Sequence, residues 1–328
     1  MIILGIEGSA NKLGVGILRN KEILSNKRET FVPPKGHGVI PVEAAEHHRA
    51  KIFQLIHNSL EEAGVTIEEV DLFCYTRGPG MQQLLTVGCI VARTLSVFYN
   101  KPLVPVNHCI AHIEMGRVIT NAQNPVILYA SGANTQIIAY HDQKYKIFGE
   151  TLDIAVGNCL DKIARELELD NFPSPGLSIE KKAREGSKYI KLPYSVKGMD
   201  MSFSGILSYL KRIKNDHSVE DLCYSLQETM FSILVEATER CLSFVDSNEV
   251  LIVGGVGCNL RLQEMLKDMV EQRNGILYAM DERFCIDNGA MIAYTGYLMY
   301  KSGVIIEFDQ CNVTQRFRTD SVHIKWRD

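Results

Sequence analysis

The apolar positions of this chain run in two periods, and the same order of periods occurs twice. Ile2-Ile3-Leu4-Gly5-Ile6 stops at Glu7-Gly8-Ser9-Ala10-Asn11, resumes as Gly14-Val15-Gly16-Ile17-Leu18, turns at Asn20-Lys21 and continues as Glu22-Ile23-Leu24. Val126-Ile127-Leu128-Tyr129 stops at Ala130-Ser131-Gly132-Ala133-Asn134, resumes as Thr135-Gln136-Ile137-Ile138-Ala139-Tyr140, turns near Asp142 and continues as Tyr145-Lys146-Ile147-Phe148. Short apolar runs bounded by turn residues predict buried strands. Each meander is followed by helical spacing. Ile52, Leu55, Ile56 and Leu60 predict a helix from Val42 to Ala63, ahead of a strand from Val70 to Thr76, the turn Arg77-Gly78-Pro79-Gly80 and a helix from Gln82 to Phe98. In the second half a helix from Glu220 to Asp246 precedes a strand from Glu249 to Val253, the turn Gly254-Gly255-Val256-Gly257 and a helix to Arg273. A repeated plan of this kind predicts two α/β lobes with a cleft between them. Residues 1–110 with 290–328 make the first lobe and residues 111–289 the second.

Three segments fall outside the repeat. Residues 151–207, with Pro173, Pro175 and Pro193, have no counterpart in the first half and read as an insertion that lines or caps the cleft. Within it, Lys197-Gly198-Met199-Asp200-Met201-Ser202-Phe203-Ser204-Gly205 lacks strand periodicity and reads as an ordered loop. A helix from Asp287 to Lys301 is expected to cross back to the first lobe, and the polar stretch Thr314 to Asp328 to extend over the surface.

Composition narrows the function classes. An apolar share of 46% and a charged share of 23% are ordinary for a soluble globular protein. The net charge of −4 gives no global attraction to nucleic acid, so any RNA contact needs a local basic patch or a partner. Nine cysteines form no CxxC pair, and several sit in apolar runs such as Leu72-Phe73-Cys74-Tyr75, which suggests buried thiols in a reducing compartment. An apolar run that begins at Ile2 predicts no signal or transit peptide, and no run reaches the roughly 20 residues of a membrane span.

The candidate chemistry centres on His108-Cys109-Ile110-Ala111-His112. Two histidines four apart on a helix present their rings on one face, at a spacing that grips one divalent metal, although such pairs also arise by chance. Cys109 stands where a zinc peptidase motif requires glutamate, which excludes that chemistry. Asp287 occupies a helix N-cap position; if the lobes face each other it also reaches the histidines, giving two imidazoles and a carboxylate with open positions for a ligand. His47 and His48 are adjacent, so at most one looks toward the cleft. The turns 7–11 and 130–134 offer backbone amides to an anion, or are plain hairpins. Gly254 to Asn259, between strand and helix, lets a ligand approach the backbone, with Asn259 reading a nucleoside or capping the helix. Asp161 stands near a helix start, where it either hydrogen-bonds a ligand or complements the helix dipole. Glu180, on pattern alone, is a solvated or capping residue.

These residues together resemble a family. Gly5 to Asn11, His108-xxx-His112, Tyr129 to Gly132, Gly157-Asn158-Cys159-Leu160-Asp161, Pro173-Ser174-Pro175-Gly176, Lys197 to Asp200, Ser202 to Gly205, Gly254 to Asn259 and Arg283 to Gly289 resemble, in order and over nearly the whole chain, the tRNA threonylcarbamoyladenosine transferases that form the catalytic subunit of the KEOPS complex. The ending Trp326-Arg327-Asp328 resembles the eukaryotic cytosolic branch. The resemblance implies an actin-like, sugar-kinase and Hsp70-type (ASKHA) fold of two RNase H-like lobes. It implies one divalent metal, Zn, Fe or Mn, on His108, His112 and Asp287 with Tyr129 near or on it. Tyr129, Ala130, Ser131, Gly132, Ala133, Asp161, Gly176, Glu180 and Asn259 would bind threonylcarbamoyl-AMP. Its carbamoyl carbon would be attacked by N6 of the adenine 3′ of the anticodon in ANN-decoding tRNAs, with AMP leaving. Partners would be tRNA and other KEOPS subunits, including a small protein kinase and a dimerising subunit, with no membrane, in cytoplasm and nucleus. Ala133 departs from the family, which often has glycine there; a turn needing φ > 0 would be strained by alanine. Two alternatives stay open on sequence: an ATP-dependent small-molecule kinase of the same fold, and a nucleotide-switched scaffold without catalysis.

Overall fold

The structure is a computed structural model that describes residues 1–304 and 306–327; Asp328, the last residue of the ending noted above, lies outside the described residues. The first sheet contains β1 (Ile2–Glu7), β2 (Lys12–Arg19), β3 (Glu22–Thr30), β4 (Leu72–Gly78) and β5 (Leu103–Asn107), with α1 (Pro41–Ala63) and α2 (Gln82–Phe98) between them. Then α3 (His108–Thr120) leads to β6 (Val126–Ala130), β7 (Thr135–His141) and β8 (Lys144–Glu150). The insertion holds α4 (Val156–Glu166), α5 (Pro175–Ala183), β9 (Val196–Lys197), β10 (Asp200–Met201) and α6 (Ser204–Ile213). The chain closes with α7 (Val219–Val245), β11 (Glu249–Val253), α8 (Leu260–Gln272), β12 (Ile276–Ala279), α9 (Glu282–Cys285) and α10 (Gly289–Lys301).

The repeat read from the sequence is a repeat of topology. The first sheet has the order β3-β2-β1-β4-β5, and the second β12-β11-β6-β7-β8. In each, three antiparallel strands meander and two later strands run parallel to the first of them. The inner strands β1, β2, β6 and β11 are buried along nearly their whole length because both faces are covered, whereas the edge strands β3, β8 and β12 are partly exposed. Leu4, Ile6, Val15, Ile17 and Phe73 face α1 and α2, whereas Ile3, Leu18 and Cys74 face a central core that also holds residues of α3 and α10. Ile127, Tyr129, Leu251 and Val253 enter that same central core from the second sheet. The two sheets therefore share α3 and α10 between them. The crossing of α10 over the first sheet depends on missing side chains: a Cβ on Gly16 would lie 2.2 Å from the backbone N of Ala290. No described helix is long and apolar enough to cross a membrane.

Two expectations are corrected. Residues 197–205 are not an irregular loop: Gly198, at φ +66°, turns β9 into β10, and α6 begins at Ser204. Strands of two residues are too short to show a period. The segment is pinned by Asp153, which accepts hydrogen bonds from the backbone N–H of Phe203 and from the hydroxyls of Ser202 and Ser204. The stretch 314–327 is not a surface extension but a strap. The Thr314 N–H donates to Arg77 O (2.8 Å), the Asn107 amide to Phe317 O (3.2 Å), the Thr319 hydroxyl to Gln136 Oε1 (3.2 Å) and the Ile324 N–H to Gln143 O (2.8 Å). Thr319 and Ile324 are buried. Most of its anchors are backbone groups, so side-chain polarity concealed it.

Candidate metal centre

The centre begins where β5 ends. Asn107 is the N-cap of α3, its side-chain oxygen accepting the Ile110 N–H at 3.1 Å. That cap starts the helix at His108 and places His108 and His112 on its first turns, both buried, with ring centroids 4.8 Å apart. Asp287 arrives from the segment after β12. It is not the cap of α10, as its position suggested: Asn288 caps, accepting the Met291 N–H at 3.0 Å. The Asp287 carboxylate is therefore free to face α3. Its Oδ1 lies 3.1 Å from His112 Nε2 and 3.5 Å from His108 Nε2. One ligand atom from each residue lies within 4.8 Å of the other two. Each carrier of a donor follows the fifth strand of its own sheet's plan, α3 after β5 and Asp287 after β12.

A second layer orients the histidines. Glu7, fully buried at the end of β1, places Oε2 3.0 Å from His108 Nδ1. Its other oxygen accepts the Ser9 N–H (2.7 Å) and hydroxyl (2.6 Å), and the Thr76 hydroxyl donates to Oε2 at 2.5 Å. A carboxylate at Nδ1 fixes that nitrogen as the protonated one and turns the Nε2 lone pair toward Asp287. Burial opposes the Glu7 charge, yet the His108 imidazole holds the carboxyl below its usual range. Burial also opposes charge on His108, but Glu7 raises its pKa. His112 is pushed down, chiefly by burial, which favours the neutral ring that ligates metals. Asp287, despite burial, is held well below the carboxylate range by Lys12, whose Nζ is 3.6 Å away, and by the histidines.

The donor set suits a divalent cation. The Tyr129 hydroxyl is buried without a hydrogen-bond partner, its ring centroid is 5.5 Å from that of His112, and burial holds the phenol well above its usual range. An unpartnered buried hydroxyl costs about 1–3 kcal/mol, a cost that coordination or a ligand oxygen would remove. His112 Nδ1 is likewise unpartnered. Two imidazoles and a carboxylate match Zn, Fe and Mn alike.

Around the centre the remaining candidates form two groups. Gly132 and Ala133 are exposed at the tip of the turn after β6, which is closed by the Ser131 N–H donating to Asn134 O at 2.8 Å. Ala133 is not among the residues of positive φ, so alanine there carries no strain. Gly254, at φ +90°, backs this turn: a Cβ on it would lie 2.5 Å from Ala130 O. The Gly157 N–H donates to Ser131 O at 3.1 Å, and Asp161 lies one helical turn beyond Gly157 on the same face of α4. Asp161 is in mid-helix, not near its start, so dipole placement does not explain it. Burial raises its carboxyl to about 6, against the pull of Arg165 and Lys12. The second group surrounds the start of α8. Asn259 caps that helix through Leu262 N (3.2 Å) and donates to Gln227 (2.8 Å). Glu180 is buried rather than solvated: it accepts from Leu260 N (3.4 Å) and pairs with Arg184 (2.8 Å). Gly176, one turn before Glu180, faces open space.

Sequence reasoning missed Glu7, Ser9, Lys12 and Thr76 as parts of the centre. The signal available was a single charged residue closing an otherwise apolar strand at Glu7. Of the adjacent histidines, His48 is the buried one, its ring packed 3.5 Å from the Cβ position of Gly8 and its pKa lowered by burial to about 4.

Comparison with known proteins places this geometry. The family described as "TsaD: tRNA N6-adenosine threonylcarbamoyltransferase" matches residues 21–294. A tRNA N6-adenosine threonylcarbamoyltransferase of Encephalitozoon cuniculi is 67% identical over 330 residues, covering 100% of both chains. The Homo sapiens protein of the same description is 54% identical over 332 residues, covering 99% of each. Among solved structures, HypF of T. kodakarensis superposes with a TM-score of 0.65 at 15% identity, over 94% of this chain and 49% of that one. The activator of a Clostridium difficile 2-hydroxyisocaproyl-CoA dehydratase does so with a TM-score of 0.56 at 13% identity, over 92% and 97%. Those two likenesses concern the fold and agree with the ASKHA architecture. The sequence relatives go further: the chain belongs to the TsaD family of tRNA N6-adenosine threonylcarbamoyltransferases, transferases that act on tRNA.

Proposed function

We propose that the chain transfers the threonylcarbamoyl group of threonylcarbamoyl-AMP to N6 of the adenine 3′ of the anticodon in ANN-decoding tRNAs, with a divalent metal held by His108, His112, Asp287 and Tyr129. The observation that carries the reading is the convergence of His108, His112 and Asp287 from the ends of both sheets beside Tyr129, which stands just before the exposed turn at Gly132 and Ala133. A bound metal would supply Lewis-acid polarisation and charge neutralisation for the phosphate and carbonyl oxygens of the intermediate. The protein's own groups do the rest. Glu7 holds His108 in one tautomer. Lys12 brings a positive charge to the edge of the centre, beside Asp287. The exposed turn at Gly132 and Ala133 leaves room and backbone amides for an anionic or polar part of the donor. N6 attacks the carbamoyl carbon, the bond from that carbon to the phosphate oxygen breaks, AMP leaves and N6 gives up one proton. Splayed bases of the anticodon loop suit such an open cleft.

Assembly with other KEOPS subunits, including the kinase and the dimerising subunit, and residence in cytoplasm and nucleus belong to the same proposal. In support of assembly, α1 and α2 leave Phe53, Ile90, Val97 and Phe98 exposed, with Phe98 at 77%. Large apolar groups of this kind mark interaction surfaces when they cluster. The test of the function is nucleoside mass spectrometry of tRNA from cells carrying only the His108→Ala or Asp287→Ala protein. Loss of threonylcarbamoyladenosine supports the metal-centred reading, and an unchanged level defeats it.

A further inference from the structure

A second opening in the molecule differs in character from the metal centre. A groove of about 490 Å3 lies between α4, α6 and the loop joining β3 to α1. Its wall carries Lys162, Arg165 and Glu166 of α4, Glu168 just after that helix, Leu207 and Lys211 of α6 and Lys214 just beyond it, with Gly36 at the loop side. The charges on this wall are unevenly matched. Glu166 pairs with Lys211 at 2.7 Å and with Lys214 at 3.4 Å. Lys162 and Arg165 have no carboxylate within ion-pair distance among the described residues. Arg165 extends along the loop, its guanidinium 3.8 Å from the Cβ position of Gly38. The loop itself is anchored: the Asn171 amide donates to Pro34 O at 2.9 Å, which leaves Lys35 exposed beside Gly36.

Helix α4 joins the groove to the turn after β6. Arg165 lies one turn beyond Asp161, and Asp161 one turn beyond Gly157, whose N–H donates to Ser131 O at 3.1 Å. At the edge of the centre itself, Lys12 reaches Asp287 at 3.6 Å. A chain with a net charge of −4 thus sets cations both on the groove wall and beside its centre. The groove wall sets four cationic side chains against the two carboxylates Glu166 and Glu168 and lacks the aromatic anchors found at protein–protein interface cores, which favours a phosphate backbone over an acidic protein.

The geometry points to this groove as the seat for tRNA backbone phosphates flanking the target adenine, with Lys162 and Arg165 gripping them directly and Glu166 restraining Lys211 and Lys214. The inference rests on the reading of the centre as a tRNA-modifying site and adds where the RNA is held. Phosphate contacts position a nucleic acid without reading its sequence, so the groove would serve all of the protein's tRNA substrates alike.

The test uses the full chain with its partner subunits and measures tRNA binding across a range of salt. Combined Lys162→Gln and Arg165→Gln should weaken tRNA binding about tenfold near ~0.1 M salt and flatten the slope of log K against log salt by about 1.5, since each phosphate contact contributes roughly 0.7–0.9. The KM for tRNA should rise while kcat at saturating tRNA stays unchanged. Glu166→Gln should act oppositely, tightening tRNA binding about threefold by releasing two lysines. Unchanged affinity and slope in both variants would overturn the proposal. So would loss of a partner subunit from the double variant with tRNA affinity intact, which would make the groove a protein contact. Failure of the underlying reading looks different: the unaltered protein would bind tRNA and transfer nothing.

Discussion

The turns after β1 and β6 occupy the same place in two copies of one topology, and they use their polar atoms in opposite ways. In the first, the carboxylate of Glu7 is saturated by the Ser9 N–H and hydroxyl, the Thr76 hydroxyl and the His108 imidazole. Both oxygens of that carboxylate are engaged within the protein. In the second, Gly132 and Ala133 are exposed and the Tyr129 hydroxyl has no partner. The duplicated turn has thus divided its work: one copy holds the His108 ring from within, and the other presents an exposed edge. Identical topology sets where chemistry can be placed, and the side chains decide which copy is a support and which is a site.

The largest expected effect comes from cutting the element that both turns serve. His112→Ala should lose the bound metal and lower threonylcarbamoyl transfer by about a thousandfold or more, read by elemental analysis and by nucleoside mass spectrometry. Breaking the support turn is milder: Glu7→Gln keeps the shape but not the charge at His108 Nδ1, and should cost roughly 10–100-fold in metal affinity or transfer rate. An unaltered Glu7→Gln enzyme would mean that the first turn is no support at all.

Asp161→Asn sharpens the comparison on the open side by separating stability from activity. A carboxyl whose folded pKa is raised to about 6 destabilises the protein above that pH, and this cost is absent below the ordinary carboxylate range near ~4. The variant should therefore gain about 1 kcal/mol in denaturant unfolding at pH 7.5, match the unaltered protein at pH 4, and lose about tenfold in transfer. A variant that is less stable at pH 7.5 would contradict the assigned direction. The smallest effect is expected at Ala133→Gly: with no positive φ to relieve, transfer should change less than about twofold and stability fall by about 0.5 kcal/mol. A clear gain in rate would show that alanine does strain the turn.

What the sequence disclosed follows from how local each signal is. The helix from Gln82 to Phe98 and the strand from Glu249 to Val253 are found at the bounds their apolar patterns indicated. The His108/His112 pair was legible because four-residue spacing is a helical property. Asp287 lies 175 positions from His112 in the chain. Its place became readable only through family resemblance and the expectation that the lobes face each other. Even then the cap was assigned to the wrong neighbour, since Asn288 and Asp287 are equally good capping types and only the backbone path decides between them. Glu7, Ser9 and Thr76 were invisible as a unit because their partnership is made by β1 and β4 lying side by side. The strap 314–327 escaped for a related reason: most of its anchors are backbone groups, which no residue pattern records.

The central claim is that His108, His112 and Asp287 together hold a metal on which transfer depends. Its most direct measurement is metal content and tRNA threonylcarbamoylation determined on the same preparations of the unaltered, His112→Ala and Asp287→Ala proteins, each in its assembled complex. The account predicts about one divalent ion per chain in the unaltered protein, and joint loss of metal and of modified adenosine in both variants with tRNA still bound. Variants that lack the metal yet modify tRNA at the normal rate would contradict it.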